Sequence, residues 1–414
     1  MTEELFKKTV LTNGIRVVTE NVDFVHSVAL GLWVLVGSQD ETEKTNGIAH
    51  FIEHMTFKGT STRSAFEIAS TIESLGGMLN AFTTRDMTCY FARLMYDNIE
   101  TGIDVLSDLV QNPVFNREEI EREKGVIAEE IKEILDTPSD LVHDYFMQDL
   151  YPDHSFGRPV QGSIESINSF TYQNFVDFVH SNYTPDRIVV AVSGKVEHER
   201  IVELVSRYLG DLDSGIEKRD ISAAKSFSQN INTYSSSGSQ SHLVIGRRIF
   251  SQSDPRRHAL AILSVILSGG MSSRIFHNIR ERFGFVYAIY AFAELYRDQG
   301  LFGIYAGVDS RKLAKIKSLI YKEFEKLSDE LVPDDELSKA KQQLKGGMVL
   351  SLESMQARMS RLARMEIFRH EFHTVNEYLK ILEKISSEDI QTLAQYLFNK
   401  SDFIETILKP DKNR

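Results

Sequence analysis

The chain is short of cysteine, of long apolar runs and of positive charge, and each shortage narrows what it can be. One cysteine, Cys89, stands in 414 residues, so no intrachain disulfide can form and a reducing compartment suits the protein. Set among Thr88, Tyr90 and Phe91, that cysteine reads as a buried strand thiol. No stretch approaches the roughly 18 consecutive apolar residues of a membrane span. The first twenty residues hold neither the apolar heart of a secretory signal nor an Arg-rich, acid-poor transit sequence, and the expectation is a cytoplasmic protein without membrane association. A net charge of −12 argues against a nucleic-acid partner. It mildly favours basic substrates, although ordinary solubility accounts for it more simply. What is present is a hydrophobic content of 42%, enough for roughly two to four domains with cores of their own.

The most informative segment is His50-Phe51-Ile52-Glu53-His54, which reads H-x-x-E-H. Four residues is a little over one helical turn, so on a helix the two imidazoles stack about 6 Å apart along the axis. That suits two corners of a tetrahedral zinc. Glu53 lies on the flank of the same face, where a carboxylate can reach a water on the metal without ligating the metal itself, the position of a general base. Asn46 and Gly47 supply a helix start, and Ile48, Ile52 and Met55 supply an apolar face.

A catalytic zinc needs a third protein ligand and one open position. The acidic stretch from Glu118 to Glu133 offers many carboxylates, and helical phase selects among them. Ile120, Ile127, Ile131, Ile134 and Leu135 form one apolar stripe at about 100° per residue. Glu129 and Glu133 point away from that stripe and should be solvated. Glu123 and Glu130, one heptad apart, sit on its edge, where a carboxylate is half buried against a neighbour. Glu130 is thus the candidate third ligand, and Glu123 a partner that holds a histidine or the base in place. A charge-rich helix is more often only a solvated face, so this assignment rests on phase alone.

These residues resemble the pitrilysin/insulinase family of metallopeptidases, and most closely its mitochondrial processing-peptidase-like branch. That family carries the inverted H-x-x-E-H followed far downstream by a glutamate, which here are His50, His54 and Glu130. The resemblance continues through Gly76-Gly77-Met78-Leu79-Asn80-Ala81-Phe82-Thr83 and again from Arg280 to Tyr287. It implies a zinc-dependent endopeptidase with one Zn2+ per chain, acting on peptides or unfolded segments. By the same resemblance Asn80, Ala81, Phe82 and Thr83 belong to an edge strand to which the substrate adds as a further strand. From the residues themselves, the alternation from Asn80 to Arg93 is equally that of an ordinary internal strand. Arg280 and Tyr287 match an arginine-tyrosine pair in the zinc-free half that orients substrate carbonyls and donates to the oxyanion. Gly284 interrupts any helix between them, so the pair should span a helix end and a strand start. Gly269-Gly270-Met271-Ser272-Ser273 resembles the family's glycine-rich substrate-handling loop.

An internal repeat organises the chain. A slide that lays Asn116–Ile120 over Pro333–Leu337 also lays Ile127 over Leu344 and Ile131 over Met348, while Glu130 falls on Gly347 and Glu123 on Ala340. One copy keeps the metal residues. The expected fold is α+β: two homologous α/β-sandwich-like domains, each a mixed sheet covered by helices, pseudo-twofold related. Residues 1–211 form the zinc-bearing domain, 212–241 a polar, Ser-rich linker, and 242–414 the domain with Arg280 and Tyr287. Val10 to Glu20 should be a hairpin around Asn13-Gly14, and Ser27 to Val36 a buried strand carrying the only tryptophan, Trp33.

The family's architecture implies a closed chamber. A chain about half the length of single-chain members that holds both the zinc motif and the Arg-Tyr pair implies a homodimer, with a heterodimer as the alternative. A non-catalytic scaffold and a peptide-binding chamber with structural zinc are the non-enzymatic alternatives, and the intact His50, Glu53, His54 and Glu130 speak against the scaffold.

Overall fold

The computed structural model describes residues 6–212, 230–284, 286–368 and 372–411, and the chain divides into two compact units. The strands, in chain order, are β1 Phe6–Val10, β2 Arg16–Asn21, β3 Ser27–Val34, β4 Met78–Thr83, β5 Thr88–Met95, β6 Ile188–Gly194, β7 Asn230–Ser236, β8 Ser241–Ile249, β9 Val286–Leu295, β10 Gly300–Val308 and β11 Ile404–Pro410.

In the first unit they form one mixed sheet in the order β1-β2-β6-β3-β5-β4, with β2 and β6 parallel and the other neighbours antiparallel. The β1–β2 hairpin turns at Gly14, whose φ of 102° only glycine adopts without strain. β3 reads as a continuous apolar run because both faces of the sheet are covered. Val28, Leu30, Leu32 and Val34 enter one core, beneath a helix layer that includes Ile48–Thr56. Ala29, Trp33 and Leu35 enter a second core on the other face, under the Met355–Phe368 helix. The Trp33 ring occupies the space that a Cβ on Gly31 would take, 2.4 Å from its nearest ring atom. Cys89 is fully buried in that second core. Ion pairs also hold this helix to the sheet: Glu366, 0% exposed, meets Lys8 at 2.9 Å and Arg16 at 3.4 Å, and Arg358 meets Glu20 at 2.7 Å.

The second unit repeats the pattern. Its sheet runs β7-β11-β8-β10-β9, again with one parallel pair, β7 with β11, among antiparallel neighbours. This is the order β2-β6-β3-β5-β4 over again, and two similar α+β domains are what the chain builds. The Pro138–Leu150 helix lies on β8 and β11, where the Phe146 ring fills the space left by Gly246.

The Pro138–Leu150 and Met355–Phe368 helices follow the two helices that the repeat superimposes, Arg117–Asp136 and Asp334–Ser351. Each is exchanged between the halves of the sequence. The first unit takes residues 351–372, and the second takes residues 132–157, so the division is not the sequential one at 211 and 242. Three further expectations need correction. The expected linker is strand over Asn230–Ser236, since an edge strand with one exposed face needs no apolar run; residues 213–229 lie outside the described residues. Asn80 to Arg93 is not one strand but the β4–β5 hairpin, closed by Thr84 N donating to Met87 O at 2.8 Å. The apolar stripe of the Arg117–Asp136 helix buries Ile120, Ile127 and Ile131 but leaves Leu135 48% exposed, because the first unit ends at Ile131.

Leu362 is fully buried in the outer core of the first unit. Leu362→Ala is expected to cost about 2–5 kcal/mol, as deletion of a buried leucine does, measured by urea denaturation of the purified chain.

Candidate metal centre

The helix Ile48–Thr56 starts at Gly47, whose left-handed φ of 94° turns the chain into it. Ile48, Phe51, Ile52 and Met55 are 0% exposed, and the Phe51 ring meets Phe175 edge-on at 4.9 Å. With that face anchored in the core, His50, Glu53 and His54 occupy the opposite face and are only partly buried.

The two imidazoles lie 4.6 Å apart between ring centroids. The Arg117–Asp136 helix brings Glu130 to them: His54 Nε2 lies 3.7 Å from Glu130 Oε2. One ligand atom from each of His50, His54 and Glu130 falls within 4.8 Å of the others. Among the described residues this is the one group able to hold a metal ion. Glu129 and Glu133 are exposed, as helical phase requires, and Glu123 is buried more deeply than its phase alone suggests. It accepts from His54 Nδ1 at 2.9 Å and pairs with Lys58 at 2.8 Å. That contact assigns the Nδ1 proton of His54 and turns Nε2 toward Glu130.

The electrostatics differ sharply between the two histidines. Burial, aided by the neighbouring His54, drives the His50 imidazole down to about 4. It is therefore neutral at pH 7, and its Nδ1 is buried without a hydrogen-bond partner among the described residues. For His54, burial pulls in the same direction, but the Glu123 hydrogen bond and the charges of Glu130 and Glu53 outweigh it and raise the imidazole. Burial also raises Glu53, against the hydrogen bond that Thr83 Oγ1 donates to its Oε2 at 2.6 Å. Burial pushes Glu123 up, yet the hydrogen bonds from His54 and Lys58 leave it lowered and ionised. Two imidazoles and a carboxylate, one imidazole neutral and the other oriented by a buried carboxylate, are a donor set that fits zinc.

Two buried phenols, those of Tyr90 and Tyr183, lie close enough to Glu53 to feel its charge. Tyr90 and Tyr183 are 3.2 Å apart between their oxygens, and burial raises both phenols. Beside Glu53 runs β4, which is an edge of its sheet. Asn80 and Phe82 are exposed on it, and Phe82 meets Phe91 at 6.2 Å between centroids. Ala81 N donates to the Asn80 side chain at 2.8 Å and Thr83 turns toward Glu53. Arg280 and Tyr287 belong to the second unit. Arg280 lies in a π-helical turn, Phe276–Glu281, with its guanidinium 4.7 Å from the Phe276 ring centre. Gly284, at φ 61°, ends that helix, and Tyr287 is 62% exposed at the start of β9. The pair thus spans a helix end and a strand start.

Sequence reasoning missed Lys58, Glu41 and the turn of Thr83 toward Glu53. Lys58 stands one turn beyond His54, a spacing that could have signalled it. Glu41, whose carboxylate accepts from the start of the Ile48–Thr56 helix, lies in a connection with no periodicity to mark it.

An inverted H-x-x-E-H on a helix beside a downstream glutamate is the motif by which one class of zinc peptidases is recognised. The chain belongs to the insulinase family, peptidase family M16. The family described as Insulinase (Peptidase family M16) matches residues 16–163, and the Peptidase M16 inactive domain matches residues 169–344. The second match begins within the first unit, at residue 169, and runs on through the half in which Ala340 stands at the position of Glu123. The uncharacterized zinc protease YmxG of Bacillus subtilis is 35% identical over 99% of both chains. The uncharacterized zinc protease SCO5738 of Streptomyces coelicolor is 34% identical over 97% of this chain and 89% of its own. A protease from Helicobacter pylori has the same fold, with a TM-score of 0.90 at 21% identity over 98% of this chain and 99% of the other. The peptidase M16 inactive domain from Pseudomonas fluorescens has it too, at 0.89 and 19% over 98% of both. No helix among the described residues is long and apolar enough to cross a membrane.

The His50 shift has a consequence for stability. Its folded value of about 4 lies below the unfolded value of about 6.5, so between these the unfolded chain binds the extra proton. The His50 contribution is then present above pH 6.5 and lost as pH falls toward 4. Metal-free protein should lose stability over that window more steeply than His50→Gln, measured by denaturant titration at each pH.

Proposed function

We propose that the chain is a zinc metalloendopeptidase of the cytoplasm that cuts peptides or unfolded precursor segments laid along β4 as an added strand. The observation that carries this reading is the convergence of His50, His54 and Glu130 within 4.8 Å, with Glu53 on the same helix held by Thr83. His50, His54 and Glu130 would hold one zinc per chain. Bound there, zinc supplies a Lewis acid and makes water a better nucleophile at neutral pH.

The rest falls to side chains. Glu53, raised by burial and kept in one rotamer by the Thr83 hydroxyl, takes the proton of the attacking water and returns it to the leaving amine. Glu123, fixed between His54 and Lys58, keeps the His54 ring in the tautomer and orientation that ligation needs. The edge of β4 around Asn80, Ala81 and Phe82 offers main-chain groups to an extended peptide, which tolerates many sequences. To do so it must exchange the Asn80 side chain from Ala81 N for a substrate carbonyl. Arg280 and Tyr287 would orient the substrate carbonyl and donate to the oxyanion. We read the pair as acting across a homodimer, the pair from one subunit completing the site of the other. A heterodimer is the alternative assembly.

The test is cleavage of a panel of basic and acidic fluorogenic peptides with and without a chelator, alongside zinc content and sedimentation of the purified protein. Chelator-sensitive cleavage with about one zinc per chain is expected. Bound zinc without cleavage of any peptide would turn the reading toward a missing partner subunit or a non-catalytic chamber. Glu53→Gln should keep its zinc and lose about 10²–10⁴-fold in kcat; a wild-type rate would remove Glu53 as the base. Glu123→Ala should weaken zinc by about 10–100-fold, read by competition with a chelator of known affinity.

A further inference from the structure

We propose that Glu41 is a positioning residue of the metal centre: its carboxylate winds the first turn of the Ile48–Thr56 helix and so sets where His50 stands relative to His54. The inference rests on the reading of these histidines as zinc ligands.

The helix is nine residues long, and His50 is its third. Ligands at a helix start are exposed to fraying, because the first N–H groups have no acceptor within the helix. Here the N-cap is Gly47, which has no side chain to cap with. The acceptor arrives from outside the helix. Glu41 Oε2 accepts from Gly47 N at 2.8 Å and from the Asn46 side chain at 3.0 Å, and Oε1 accepts from Ala49 N at 2.9 Å. Both oxygens are used, so one side chain supplies acceptors that the helix start lacks.

Glu41 is 4% exposed, and burying a carboxylate is costly unless hydrogen bonds repay it. Burial pushes its carboxyl up to about 8 against the pull of these donors and of Arg158. A serine or aspartate directly at the N-cap would end a surface helix more cheaply. What the longer carboxylate adds is a bridge to three of the four positions from Asn46 to Ala49, namely Asn46, Gly47 and Ala49, up to the residue before His50.

The same turn is clamped from its other side. Arg158 donates to the Glu41 main-chain oxygen, Asn46 Nδ2 donates to Pro159 O at 2.9 Å, and Ser166 Oγ donates to Asn46 O at 2.7 Å. Gly47 is so close to Gly162 that a Cβ on it would lie 2.8 Å from the Gly162 Cα. One residue of unwinding would move His50 by about 1.5 Å and 100° relative to His54, whereas metal ligands need placement to within about 0.5 Å.

The experiment compares the full-length wild type with Glu41→Gln, which keeps the volume and one acceptor, with Glu41→Ala, and with Leu362→Ala as a variant destabilised far from the site. Three properties are read: zinc affinity by chelator competition, the electronic spectrum of the Co2+-substituted protein, and amide hydrogen exchange of His50 and Phe51 in the metal-free protein. Glu41→Gln is expected to bind zinc about 10–100-fold more weakly than wild type, with an altered Co2+ spectrum and faster exchange at the two amides. Leu362→Ala should leave zinc affinity and the Co2+ spectrum near wild type, and any faster exchange in it should extend over the whole unit rather than favour these two amides.

Unchanged zinc affinity and spectrum in folded Glu41→Gln, or a loss no larger than that of Leu362→Ala, would overturn the proposal. Should Glu41→Ala fail to fold, Glu41→Gln alone decides. A wild type that binds no zinc would defeat the ligand reading instead. Exchange would still speak to Glu41, since unchanged amides mean it does not hold the turn.

Discussion

Ile48, Phe51, Ile52 and Met55, all 0% exposed, fasten one short helix into the core, and the chemistry of the first unit hangs on that burial. Each such side chain contributes about 1.5–3 kcal/mol, so rotating the helix about its axis would forfeit several of these at once. The opposite face therefore has no freedom. His50, Glu53 and His54 are presented together, and β4 and the Arg117–Asp136 helix only have to bring Thr83, Glu123 and Glu130 to them.

Charge in the centre is arranged in short relays rather than in isolated pairs. Lys58 meets Glu123, Glu123 meets His54, and His54 faces Glu130. A buried ion pair seldom raises stability, since desolvation offsets most of the attraction. Its effect here is orientation: the relay chooses a tautomer for His54 and turns one nitrogen outward. His50 is treated oppositely, kept neutral by burial and given no partner for Nδ1 among the described residues.

The two units share strand order and sheet pairing, yet only one gathers metal-ligand side chains. Gly347 and Ala340 stand where the first copy has Glu130 and Glu123, and the core beneath them is kept. Fold and site have separated within one chain. The exchanged helices add a constraint of their own. Trp33 and Cys89 are covered by residues from the second half of the sequence, and Phe146 covers the second sheet from the first half. Neither half of the chain contains a complete unit.

What could be read without coordinates was what local periodicity controls. The spacing of His50, Glu53 and His54 places them on one helical face whatever the fold, and the phase of Glu130 and Glu123 against Ile120 and Ile127 put both on a buried edge. Asn13-Gly14 announced its hairpin, and the second copy showed its missing glutamates. Periodicity fails where the partner is remote or the pattern is borrowed. Asn230–Ser236 is a strand because β11 pairs with it, not because of its own residues. Asn80 to Arg93 alternates straight through a turn, and Leu135 continues a stripe beyond the core that buries it. The exchange of helices, the turn of Thr83 to Glu53 and the reach of Glu41 to the helix start were decided by tertiary packing alone. A side chain's face follows from the dihedral repeat of its own segment, whereas its partner depends on which distant segment the closing of the core brings within hydrogen-bond reach.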